Sequence, residues 1–259
     1  NTEVIINENE ENINYNKMLL KERIQDFKNK IEKILTKAMK DAEELEDQRA
    51  KAFIFLNYSL LYEWLSKEYQ DSKCKALEDK DCLSTAEEFT NKGLSLFPRF
   101  EEELYLKYQL SSQLAEIFKA QAKKIKAQDK IKAQAKIECA ISAYENAVKA
   151  IELLRKDLVA IDTEFQFSFR EEIKPIYENL VQLYLETARN ESNNKEDYEN
   201  RLNKARQVIE KLQIAEINNF FQENCLVSKP KSIEEIDSAS NVIFIYPIVL
   251  EKSLNIIVS

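Results

Sequence analysis

The sequence predicts an all-α protein in which antiparallel helix pairs stack into a solenoid, followed by a short C-terminal β-hairpin. Three observations carry this reading. The 259 residues include one glycine and four prolines, whereas sheets and phosphate loops need glycine where φ is positive or a ligand meets the backbone. Apolar residues recur at steps of three and four through most of the chain, the mark of a buried helical face. Past Lys229-Pro230 the spacing gives way to a β-branched and aromatic pattern.

Residues 1–12 are dense in Asn and Glu and are expected to be a flexible N-terminus, with too little apolar surface to offset the entropy of ordering. A helical period sets in at Tyr15 and continues through Leu20, Ile24, Phe27, Ile31, Ile34, Leu35, Ala38, Ala42 and Leu45. A second helix is predicted from Arg49 to Tyr69. Phe53, Leu56, Leu60, Leu61, Trp64 and Leu65 make it apolar on several faces, as befits a helix lying between neighbours. The charged stretch Gln70–Cys82 reads as a loop. Ser84 with Glu87 reads as a capping box opening a short helix that ends near Phe97-Pro98.

Two helices are predicted next, Phe100–Gln128 and Asp129–Arg155. Only Gln128-Asp129 marks a turn between them, which leaves one continuous helix open as well. Ser168 and Glu171 suit a capped turn, and Pro175 suits the first turn of a helix reaching about Arg189. A last helix runs from Lys195 to about Glu223. Loops this short make successive helices antiparallel neighbours. Val242–Leu250 and Leu254–Val258 read as strands of a hairpin turning at Glu251-Lys252-Ser253. Two strands cannot bury a core of their own, so they are expected to open a further domain that the sequence cuts short. The missing initiator Met is read in the same way, as the sign of an excised piece. The expected division is a flexible 1–12, a helical solenoid over 13–228, and a linker with the first hairpin of an incomplete domain over 229–259.

The helical part carries an internal echo. Ala140, Tyr144 and Ala147 stand at steps of four and three; Ala205, Ile209 and Leu212 repeat the spacing, as do Ala86, Thr90 and Gly93 with Pro98 five residues on. This resembles the second helix of a tetratricopeptide (TPR) repeat, with Phe53, Leu56, Asn57 and Leu60, and Tyr177, Leu180, Val181 and Tyr184, in first-helix positions. Spacing between units exceeds that of standard TPR repeats. The segments Phe165–Tyr177 and Ala205–Leu226 and the hairpin Ile243–Val258 are similar to the region that precedes and opens a CHAT domain in cyanobacterial CHAT/TPR proteins. That resemblance, close over about 165–259, implies a TPR-like array followed by a caspase-like peptidase fold. Its catalytic His and Cys have no counterpart in this sequence: there is no histidine, and Cys225 precedes the first strand.

Chemistry is bounded by what the composition lacks. Without histidine, a Ser-His-Asp triad, a Cys-His dyad and a His-ligated metal are all excluded within these residues. Glycine-rich nucleotide loops are excluded too. Cys74, Cys82, Cys139 and Cys225 form no CxxC pair and read as reduced thiols of a cytoplasmic protein. The carboxylate pairs Glu43/Glu44, Glu171/Glu172 and Glu234/Glu235 are adjacent in sequence and diverge around a helix. No catalytic, cofactor-binding or metal-binding residue is nominated, and no cofactor is expected. A net charge of −8 counts against nucleic acid as partner, and no apolar run is long enough to cross a bilayer as a helix. Lys123, Lys124, Lys126, Lys130, Lys132 and Lys136 form a local basic stretch, read as solvated helix surface with an acidic protein partner as the alternative. The expected role is a protein-interaction scaffold, not an enzyme. Its partners would be a protein or peptide in the helical groove and the chain's own CHAT-like domain. The alternative places a cysteine peptidase beyond residue 259.

Overall fold

The computed structural model describes residues 2–68, 81–125, 129–157, 169–190, 194–221, 245–250 and 253–258. Its elements are α1 Thr2–Glu44, α2 Gln48–Glu68, α3 Cys82–Ser95, α4 Leu104–Ile125, α5 Lys130–Asp157, a π-helical turn Phe169–Ile173, α6 Lys174–Asn190, α7 Lys195–Phe221, β1 Ile245–Leu250 and β2 Ser253–Val258. They divide into two compact units, Asn1–Pro98 and Arg99–Ser259. The predominance of helix and the terminal hairpin agree with the sequence reading.

In the first unit α1 starts at Thr2, so residues 2–12, expected to be flexible, continue the helix. Once a helix is nucleated, each further residue adds a hydrogen bond. The helix ends in a Schellman turn: Glu46 N–H donates to Glu43 O and Asp47 N–H to Ala42 O. Glu46 takes the left-handed conformation, φ 53°, a position usually filled by glycine and costing a residue with a Cβ about 1 kcal/mol. Asp47 then accepts from Ala50 N–H at 2.9 Å, capping α2. The two helices run antiparallel, with the Tyr58 hydroxyl 2.9 Å from that of Thr36 and Tyr62 donating to Glu32 at 2.6 Å.

α2 lies between α1 and α3, as its several apolar faces require. On its α3 side Ser59 and Thr90 share a buried 2.6 Å hydrogen bond, and the Phe89 ring stacks on Tyr58 at 4.6 Å. The cap of α3 differs from the expected Ser84. Asp81 holds that place, accepting from Ser84 N–H at 3.1 Å and from the Ser84 hydroxyl at 2.9 Å, because a carboxylate is the stronger acceptor for free N–H groups. Cys82 also departs from the reduced-thiol reading: it is buried and disulfide-bonded.

In the second unit α4 and α5 are separate helices. Asp129 ends the ambiguity by accepting from Ile131 and Lys132 N–H, both at 3.1 Å, as the cap of α5. Successive helices are antiparallel: Lys136 lies over the Phe118 ring at 4.7 Å, and Lys149 over Phe100 at 4.2 Å. Helices two apart run parallel. On α4 and α6, Glu116 and Lys119 meet Asn179 at 3.3 and 3.2 Å. On α5 and α7, Glu138 pairs with Arg201 at 2.8 Å, Glu152 with Lys211 at 3.1 Å, and Arg155 donates to Ala215 O at 3.4 Å. All these partners are 59 to 63 residues apart. A common offset in sequence thus relates the contacts of α4 with α6 and of α5 with α7. Ala140, Ala147 and Ala205 are fully buried, and Pro175 sits in the first turn of α6, directly after the π-helical turn.

The hairpin pairs Ile245 with Val258 through to Leu250 with Ser253. Ile248, Leu250 and Ile257 join the helical core of this unit. Tyr246 donates to Gln213 on α7 at 3.0 Å, and Arg189 on α6 donates to Asn255 at 2.8 Å.

Candidate functional site

Among the described residues, the free thiol and the carboxylate pairs weighed from the sequence do not come together. Cys139 is a free, exposed thiol on α5. Glu43, Glu44, Glu171 and Glu172 are exposed; Cys74, Cys225, Glu234 and Glu235 lie outside the described residues. Among the described residues no three His, Cys, Asp or Glu side chains are grouped to hold a metal ion.

The helix ends carry what the sequence did not show, a cleft of about 790 Å³ among α4, α5 and α6. Its apolar floor comes from Ala122, Ala133, Ile137 and Leu183. Ala122 occupies the last turns of α4, Ala133 and Ile137 the first turns of α5, and Leu183 faces them from α6. Short side chains at 122 and 133 leave the space that larger ones would fill. Lys123 and Lys130 stand on the α4 and α5 side of the lip, and Glu186 on the α6 side. Ile131, also at the lip, is 83% exposed.

Lys119 anchors one wall. Its ammonium donates to Glu116 at 3.1 Å, to the Tyr144 hydroxyl at 3.2 Å and to Asn179 at 3.2 Å, joining all three helices. Thr187 bonds back to Leu183 O at 2.8 Å, and Gln134 donates to Glu138 at 3.1 Å. The basic stretch read from the sequence thus divides. Lys132 pairs with Asp129 at 3.2 Å and Lys136 covers Phe118, while Lys123 and Lys130 open onto the cleft. Lys126 lies outside the described residues.

A second depression of about 400 Å³ lies between α5 and α7. It is crossed by the Glu138–Arg201 and Glu145–Lys204 pairs at 2.8 and 3.6 Å, so both of its cations are already paired. Another bare feature is the outer face of the hairpin, where Ile245, Val249, Leu254, Ile256 and Val258 are 58% to 71% exposed. Sequence reasoning missed the cleft because Leu183 and Glu186 approach from far along the chain. The one local signal was Ile131, an apolar residue among lysines. No protein-family model, curated protein or solved structure matches this chain.

Proposed function

We propose that this chain is a non-catalytic protein-interaction arm, a TPR-like solenoid that takes a segment of another protein into the α4–α5–α6 cleft. The cleft carries the reading. Its volume falls within the few hundred to about 1,000 Å³ typical of ligand sites, and it joins an apolar floor to a few polar groups at the lip. The constant offset between α4–α5 and α6–α7 supports a repeat architecture, in which stacked pairs offer a continuous receiving surface. Buried Ala140, Ala147 and Ala205 agree with the TPR-like spacing of small residues. The bare hairpin face favours a second reading alongside it: the hairpin seats a CHAT-like domain, and any caspase-like peptidase activity belongs to that domain.

A photoreactive amino acid at Ile131 tests the proposal, with one at exposed Lys195 as control. In lysate of the source organism, illumination should attach a discrete protein at 131 but not at 195, and Gln134→Trp, which fills the cleft, should abolish it. Equal labelling at both positions would overturn the cleft as the receiving surface. Peptide cleavage by the purified chain that is lost on alkylating its thiols would overturn the non-catalytic role.

A further inference from the structure

We infer that the cleft takes an acidic amphipathic peptide, with apolar side chains seated on Ala133, Ile137 and Leu183 and flanking carboxylates on Lys123 and Lys130. The inference rests on the protein-interaction reading and adds the chemistry of the partner. The chain has a net charge of −8, so most of its surface repels an acidic segment. Such a segment is drawn in only where cations are local and uncompensated.

The cleft lip meets that condition. Lys119 is held by Glu116, Tyr144 and Asn179, Lys132 by Asp129, and Lys136 lies on Phe118. Lys123 and Lys130 are exposed and form no ion pair with a described residue. They come from different helices yet border one apolar floor. Across from them Glu186 accepts from Gln182 at 2.8 Å, so the α6 wall is anionic. A uniformly acidic ligand would meet repulsion there. An amphipathic segment, with acids on its α4–α5 side and apolar groups inward, does not. Gln134 and Asn190 at the lip supply amide groups suited to a peptide backbone. Among the described residues of the lip, two available lysines on an acidic chain are too few for a nucleic-acid backbone. A lipid shares the joined anionic and apolar chemistry, and the experiment separates it.

The test is selection from a random peptide library displayed on phage, against the full chain. Selected sequences should be enriched in Asp and Glu around Leu, Ile or Phe. A synthetic selected peptide should lose affinity about tenfold when Lys123→Glu and Lys130→Glu are combined, and should weaken as salt is raised. Vesicles containing phosphatidylglycerol should not be retained. Acidic peptides whose binding ignores the two reversals would overturn the inference, as would retention of the vesicles through Lys123 and Lys130 with no peptide selected. Neutral or basic peptides displaced by Gln134→Trp would overturn the acidic partner and leave the interaction reading standing. No selected peptide sensitive to Gln134→Trp would remove both.

Discussion

Tyr62, Tyr144 and Tyr184 each donate a hydrogen bond to a glutamate on the helix before their own: Glu32, Glu116 and Glu145. A lysine stands beside each glutamate, Lys28 at 2.9 Å, Lys119 at 3.1 Å and Lys204 at 3.6 Å. The arrangement joins neighbouring helices at three places with one chemistry. Nothing local announces it, since the Tyr–Glu partners are 28 to 39 residues apart. Burial first, and then the glutamate, push the Tyr62 and Tyr184 phenols well above their ordinary value. A raised folded-state pKa stabilises fully below the unfolded value, about pH 10, and the contribution is lost as pH climbs from there toward the folded value. Tyr184→Phe should therefore cost about 1.5–3 kcal/mol at pH 8, for a hydrogen bond to a charged group, and progressively less above about pH 10. Urea unfolding at both pH values measures this. A Tyr184→Phe deficit that stays constant into the alkaline range would show that folding does not raise the pKa of the Tyr184 phenol.

At the scale of elements, most helix bodies were readable because glycine and proline are nearly absent and apolar residues keep one period. The ends were harder. Asp81 and Ser84 are both good caps at three-residue spacing, and the pattern does not rank them; free backbone donors do, and they select the carboxylate. Gln128-Asp129 left one helix or two, because Lys, Ala and Gln on either side favour helix equally. The choice falls to the Asp129 side chain, which captures two N–H groups. Small residues at 140 and 147 were legible as a close approach, and both are fully buried on α5. Ala147→Leu should force its neighbours off their preferred rotamers and cost about 1–3 kcal/mol. The thermal midpoint reports it, with Asn146→Leu on the exposed face of the same helix as control. Equal midpoints for the two variants would mean that α5 does not meet its neighbours through alanine.

Over the whole molecule, the C-terminal hairpin is where sequence pattern and packing part company. Its strands were plain in the sequence, but alternation could not choose a buried face, because Ile245, Pro247 and Val249 are as apolar as Tyr246, Ile248 and Leu250. Register makes the choice. Pairing Leu250 with Ser253 puts Ile248 and Ile257 on the same side, in the core shared with the helices, and leaves Ile245, Val249, Leu254, Ile256 and Val258 outward. The hairpin is thus half committed to the helical unit and half available to another layer, since an uncharged β face invites association. The two faces should respond differently to substitution. Ile248→Ala opens a cavity in the helical core and should cost about 2–5 kcal/mol. Ile256→Thr keeps the β-branch on the open face and should stay within about 0.5 kcal/mol, while lowering binding of a hydrophobic dye. Urea titration followed by far-ultraviolet circular dichroism reads the first difference, and dye fluorescence the second. If both variants left the helical transition unmoved, the hairpin would be an appendage and not part of the helical core; if Ile256→Thr were the costly one, the register would be shifted by one residue and the faces exchanged.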